Sequence, residues 1–241
     1  MNVILCGYNW SGCKALSFLI KRRYNIYVYT TKSPFFLADL EQMCIDMKIP
    51  HSLEKIEYNN LPFKPDIICS IYYPFIIGLD IIKYTNYKIF NLHPSLLPRY
   101  KGCSSLTWAM INGESEIGYT YHYINEKVDE GNIILQKKMN IESWDLQSTI
   151  YNRVMFEALC DFETVFDLVL ISYPGFNQTL GGEYYKRGCP YNGEIDDSWD
   201  ESMVKRFIRA MIYPPLLPAK YKDTQILKFQ DYLYIKNKKE D

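Results

Sequence analysis

The chain is short of several things that would point to a class of protein. Only 3 of its 241 residues are histidine. Lys and Arg total 27 against 28 Asp and Glu, so no excess charge marks out a polyanion partner, and nucleic-acid binding is not expected. No apolar run approaches the roughly 20 residues needed to cross a bilayer, so no membrane partner is expected. The opening MNVILCGYNW lacks a basic leader and a small-residue cleavage site, and it reads as a strand beginning near residue 1. The 7 cysteines are scattered and odd in number, with no CxxC. That argues against a disulfide framework and a zinc ribbon. The cysteines are expected to be mostly small buried hydrophobes in a reducing cytosol.

What is present is a core-forming composition, 48% hydrophobic with 22 tyrosines. NVILC at residues 2–6 is an apolar run ending in Gly7. A turn YNWSG follows, then an amphipathic segment from about Cys13 to Arg23 and a second apolar run, NIYVYT. This is the spacing of a parallel β-α-β unit. Helices are expected over 36–47 and 76–84, and strands over 51–56, 66–72 and 88–92. A Ser-capped helix is expected over 104–112, and alternating strands over 118–124 and 133–139. One long helix is expected over 145–170 and a closing strand over 225–235. The pattern predicts an α/β fold, a mostly parallel sheet with helices on both faces. A soft boundary falls near residue 172, dividing a catalytic domain (1–172) from a small C-terminal segment (173–241).

In such sheets ligands bind beyond the carboxyl ends of the strands, and the run FNLHPSLLPRYKG lies at one of them. Alternation places Phe90 and Leu92 on one face and Asn91 and His93 on the other, and Pro94 should stop the strand. Downstream, GYTYHYINEKVDEGNII carries His122 on an alternating strand and Asp129 in a tight Asp-Glu-Gly turn. A carboxylate beside His93 would favour the imidazolium and fix its tautomer. The first loop keeps Gly7 and Gly12 but lacks GxGxxG, which weakens a dehydrogenase reading.

HPSLLP, then G-x-T-x-H and D-x-G, resembles the folate-dependent N-formyltransferases over roughly residues 1–170. Among them the nucleotide-sugar enzymes are nearest, because the tail segments EYYKRGCPYNGEIDDSWD and FIRAMIYPPLLPAKY resemble theirs. The resemblance implies a Rossmann-like formyltransferase fold with a small C-terminal lobe. It implies 10-formyltetrahydrofolate as co-substrate and no metal. Asn91, His93 and Asp129 match the catalytic residues. Asn91 would donate to the oxyanion, His93 would act as general base or as a cation facing it, and Asp129 would orient and charge His93. Phe75 and Ile77, with Asn125, Glu126 and Val128, match the two walls of the folate pocket. Tyr8, Asn9, Trp10, Lys101, Arg209, Tyr213 and Tyr221 are candidates for substrate contact. The expected activity is formylation of a dTDP-4-amino-4,6-dideoxy sugar, such as the glucose derivative, for O-antigen synthesis in the cytoplasm. Methionyl-tRNA formylation and formyl-folate hydrolysis are the alternatives. A homodimer is the expected assembly on general grounds of symmetry.

Overall fold

The computed structural model describes residues 1–179 and 181–238. In chain order the elements are β1 (Asn2–Gly7), α1 (Asn9–Lys21), β2 (Asn25–Tyr29), α2 (Leu40–Asp46), β3 (His51–Ser52), β4 (Ile67–Ile71), α3 (Leu79–Tyr84) and β5 (Ile89–His93). Then come β6 (Lys101–Gly102), α4 (Ser105–Ile111), β7 (Glu116–Tyr123), β8 (Ile133–Asn140), α5 (Gln147–Cys160) and α6 (Phe162–Leu170). The tail holds β9 (Tyr184–Tyr185), α7 (Glu201–Ala210), β10 (Ala219–Tyr221), β11 (Thr224–Ile226) and α8 (Phe229–Asn237). The chain divides into two compact units, interleaved in sequence. One comprises residues 1–93, 119–136 and 155–180, and the other 94–118, 137–154 and 181–241. No helix among the described residues is long and apolar enough to cross a membrane.

Seven strands form the main sheet in the order β3-β2-β1-β4-β5-β7-β8. β1 pairs parallel with β2 and β4, and β4 with β5. β7 joins β5 antiparallel. The Tyr123 N–H donates to Asn132 O at 2.9 Å, while a Cβ on Gly118 would meet Lys137 O. That register runs β8 antiparallel to β7. The mostly parallel α/β sheet expected from the sequence is therefore present.

The central strands are apolar on both faces because both faces are covered. Val3, Ile4, Leu5 and Cys6 of β1 are all fully buried. On one face Ile4, Ile68 and Ile89 form a cluster with Ile81 and Ile82 of α3. On the other, Phe90 meets Phe162 of α6 at 6.0 Å, and Phe18 of α1 packs its ring edge on Phe162 and Phe166. The buried tyrosines carry partners for their hydroxyls: Tyr29 donates to Asn60 O at 2.5 Å and Tyr121 to Ala158 O at 2.9 Å. Cys6, Cys44 and Cys69 are buried and free, Cys13 and Cys103 are half-buried, and Cys160 and Cys189 are exposed. Burial pushes the Cys6 and Cys69 thiols up, away from nucleophilic use.

Several boundaries differ from the sequence reading, each for a local reason. YNWSG is no loop: α1 already begins at Asn9, whose side chain accepts the Ser11 N–H at 2.9 Å. α2 starts at Leu40 because the Asp39 carboxylate caps it, accepting from Glu41 N and Gln42 N. Ser104 precedes α4 but sits at φ +56° and makes no side-chain cap. The long helix over 145–170 is two helices. Asp161 breaks it, closing a turn onto Ala158 O while accepting the Tyr119 hydroxyl. The closing strand over 225–235 is short β11 followed by α8. The Asp231 carboxylate accepts the Lys228 N–H at 3.0 Å and starts that helix, an acid three residues downstream whose capping role outweighs the alternation.

Within the second unit α4 packs on α7, and Arg206 Nε donates to Ile111 O at 2.9 Å. The Trp108 and Tyr185 rings stack at 4.8 Å. β10 and β11 form a hairpin, and β6 pairs with β9.

Phe166 is fully buried among Phe18, Tyr24 and Phe162. Phe166→Ala is expected to cost about 3–5 kcal/mol, read as a lowered urea midpoint with an unchanged slope.

Candidate active site

The site grows from β5. That strand ends at His93, the residue before Pro94. Phe90 and Leu92 are buried among apolar groups, so alternation turns Asn91 and His93 to the other face. Register does the rest. Asn91 lies between Ser70 of β4 and His122 of β7, and His93 lies opposite Thr120. Residues directly opposite share a face, so Ser70, Asn91, His93, Thr120 and His122 project together.

Their hydrogen bonds assign the donors. Ser70 Oγ donates to Asn91 Oδ1 at 2.9 Å, which leaves the Asn91 amide nitrogen toward His122 Nε2 at 3.2 Å. His122 Nδ1 lies 2.8 Å from Tyr123 O. A carbonyl only accepts, so Nδ1 carries the proton and Nε2 accepts from Asn91. The amide of Asn91 is thereby held in one orientation, with its other Nδ2 hydrogen the one that can face a ligand.

Asp129 comes to this face from the turn after β7. Its Oδ2 is 3.6 Å from His93 Nδ1 and its Oδ1 is 3.5 Å from His122 Nε2. These distances are too long for good hydrogen bonds and within ion-pair reach. His93 is 5% exposed and His122 2%, and the side chain of Asp129 is 9% exposed. A buried carboxylate needs positive or hydrogen-bonding partners, and the Nδ1 edge of His93 can supply one, whereas His122 Nε2, which accepts from Asn91, lies beside the carboxylate without donating to it. Asp129 itself is left-handed at φ +58°, a conformation that costs a non-glycine residue and clusters at functional turns. Gly131 cannot be otherwise: a Cβ there would stand 1.8 Å from Tyr123 O. Among the described residues no group of three or more His, Cys, Asp and Glu side chains is arranged to hold a metal ion.

The other expected site residues are placed as follows. Tyr8 precedes α1 and its ring lies parallel to that of Tyr72 at 6.4 Å. Asn9 is buried and Trp10 half-buried in the first turn of that helix. Phe75 is exposed, with its ring edge against Tyr73. Ile77 is 5% exposed and belongs to the core cluster, whereas its neighbour Ile76 is 68% exposed. Asn125 Oδ1 accepts the Lys127 N–H, Glu126 accepts from the Tyr87 hydroxyl at 3.4 Å, and Val128 is exposed. In the second unit Lys101 is buried on β6. Arg209 gives its Nη1 to main-chain carbonyls, with Ser143 O at 2.6 Å. Tyr213 packs edge-on against Tyr151. Tyr221 is buried and donates to Asp197 at 2.5 Å, a bond that with burial pushes its hydroxyl up to about 12.

Three residues of this face lie outside the candidates expected from sequence, Ser70, Thr120 and His122. The signal for His122 was present: in GYTYHY the tyrosines take one face and Thr120 and His122 the other. Ser70 had none, because its role comes from the β4–β5 register.

Gly131→Ala is expected to destabilise the fold by about 2 kcal/mol or more, since the added methyl meets main chain that cannot retreat. Chemical denaturation checks this. A wild-type midpoint would contradict the close approach of Gly131 to Tyr123 O.

Known proteins resemble the chain at both levels. GDP-perosamine N-formyltransferase of Brucella melitensis is 41% identical over 157 residues, which cover 65% of this chain and 61% of that protein. The chain thus spans less than two thirds of this relative's length. An N-formyltransferase from Helicobacter canadensis, solved with folinic acid and dTDP-3-aminofucose, superposes with a TM-score of 0.82 at 23% identity, covering 94% of this chain and 86% of that one. The sugar 3N-formyl transferase WlaRD, solved with dTDP and 5-N-formyl-THF, gives 0.83 at 23%, covering 95% and 85%. These two likenesses bear on the fold. Residues 31–160, more than half of the chain and the stretch that contains Asn91, His93, His122 and Asp129, match the Formyl transferase family, and the chain belongs to that family.

Proposed function

We propose that this protein transfers a formyl group from 10-formyltetrahydrofolate to the amine of a nucleotide-linked amino-deoxy sugar. The observation that carries the reading is the gathering of Asn91, His93 and Asp129 on one sheet face, inside the segment matched to the formyl transferases. The name of the Brucella relative and the ligands of the Helicobacter structure support a sugar-nucleotide acceptor and a folate donor. Apolar surface suited to a flat pterin ring is also present. The segment after β4 exposes Phe75 and Ile76, and the turn before Asp129 exposes Val128.

The donor supplies a formyl carbon joined to a nitrogen that can leave. The chain supplies the rest. Asn91, its amide held by Ser70 and His122, donates Nδ2–H to the formyl oxygen as negative charge grows there, a preorganised contact that needs no rearrangement. His93 presents its Nδ1 edge to Asp129, so Nε2 receives the proton that the attacking amine loses and returns it to the departing nitrogen. Asp129 orients the imidazole and stabilises its charged form. Metal chemistry is not part of this proposal.

The acceptor we assign is a dTDP-4-amino-4,6-dideoxy sugar, the glucose derivative first, with surface-polysaccharide (O-antigen) synthesis in the cytosol as its setting. The likeness of the tail segments to nucleotide-sugar enzymes favours it, while the GDP sugar in the Brucella protein's name makes the base a point to test. The assay is incubation with 10-formyltetrahydrofolate and a panel of dTDP-, GDP- and UDP-linked amino sugars, read by a mass gain of one formyl group. A folate-dependent gain on a dTDP-4-amino sugar is expected, and no gain on any member of the panel would sink the substrate class.

Two substitutions probe the roles. Asn91→Ala is expected to lower kcat by about 10²- to 10³-fold with little change in KM, because its contact strengthens only as charge develops. His93→Ala is expected to lower kcat by about 10²- to 10⁴-fold. Full activity in either variant removes that residue from the mechanism.

A further inference from the structure

We infer that Gln178 is a positioning residue: its carboxamide locks the turn that holds Asp129 against His93. The proposal rests on the reading of Asp129 and His93 as the acting groups, and it concerns a residue beyond both the matched family segment and the sequence motifs.

The geometry is specific. Gln178 Nε2 donates to Asp129 O at 2.8 Å and to Gly131 O at 2.8 Å. One NH₂ group thus uses both of its hydrogens on two carbonyls of the same turn. The left-handed backbone at Asp129 turns its carbonyl to this side, so the two acceptors can be reached by one planar group. Asparagine would fall a methylene short, and an ammonium would place a charge beside a site that already holds an acid and two imidazoles.

Gln178 is itself well anchored. Phe176 exchanges hydrogen bonds with Ile133 at the start of β8, N to O at 2.9 Å and O to N at 2.8 Å. Asn132 Nδ2 donates to Pro174 O at 3.1 Å. Gly175, at φ +66°, lets the segment pass Ile133 O, which would lie 2.5 Å from a Cβ. The segment 174–178 is therefore stitched to the strand that follows the Asp129 turn, and it carries the clamp to the turn's two carbonyls.

The other end of the carboxamide supports a positional role. Gln178 Oε1 is buried with no hydrogen-bond partner among the described residues. An unsatisfied buried acceptor is a cost that native folds rarely retain without a reason. Here the reason is the placement of Nε2: the turn's carbonyls dictate the orientation of the group, and the oxygen goes without.

The consequence follows by sign. An ionised Asp129 at 3.6 Å favours the charged form of His93 and raises the pH at which its imidazole titrates. His122, with its ring 6.5 Å from that of His93, opposes this only when it is itself protonated. Releasing the turn moves Asp129 away, so the His93 midpoint falls.

The test is an NMR titration of the imidazoles in the resting full-length protein, comparing wild type with Gln178→Met and Gln178→Ala. With 3 histidines, His51→Gln and His93→Gln complete the assignment. Methionine fills the same volume without N–H groups, so it keeps the packing if alanine unfolds the segment. Near-UV circular dichroism confirms the fold of whichever variant is read. The expected result is a His93 midpoint lower by about half a pH unit or more, together with a fall in kcat of about 10- to 100-fold and little change in the KM for the amine. A midpoint equal to wild type in the folded Met variant overturns the proposal even if activity falls. The titration needs no substrate, so a failure of the formyl-transfer reading in the acceptor screen would leave its outcome intact.

Discussion

A buried carboxylate facing the His93 imidazole is the interaction on which the rest of the site depends. Asp129 faces His93 with one oxygen and His122 with the other, and all three are nearly excluded from water. Removing a carboxylate from water is costly, and the cost is offset only if groups of the right sign and geometry wait for it. That requirement explains features that otherwise look unrelated. β7 must run beside β5 so that His122 stands next to Asn91. The turn must wind through a left-handed Asp129 and a bare Gly131 to return the carboxylate to the sheet. Asn91 must be fixed by Ser70 so that an amide hydrogen, not its oxygen, points toward His122.

The sheet makes such a site possible. Strands apolar on both faces form a rigid slab covered by α3 on one side and by α1 and α6 on the other. Polar groups appear where the slab ends, and β5 changes from Ile89-Phe90 to Asn91-Leu92-His93 within one strand. Side chains held on strands keep their direction better than those on loops, as a group that must meet a reacting atom requires. The thiols nearest this core, Cys6 and Cys69, are buried and poorly ionised.

Much of this was legible in the residues. The β-α-β spacing at the start, the apolar runs of β1, β2 and β4, and the alternation of β7 and β8 follow from periodicity, a property of consecutive residues. So does the shared face of Asn91 and His93. The misreadings were local as well. Ser104 has the composition of a helix cap and the wrong backbone angle. The helical stripe over 145–170 continues through Asp161, where a hydrogen bond from Tyr119, distant in sequence, marks the break. FQDYLYI alternates like a strand, yet Asp231 starts a helix there.

The sequence by itself determined the α/β class, the strand that ends in His93 and the acid turn that serves it. Motif resemblance pointed to the chemistry. Only the tertiary structure decided which groups complete the site. Ser70 and His122 join Asn91 because strand register is set between strands, by packing and turn geometry, and not by the local pattern of either one. Gln178 reaches Asp129 because a segment far along the chain pairs with the first residue of β8. Ile77 turns into the core while Ile76 stays exposed, a choice that depends on what covers each face and that no spacing in the sequence reveals.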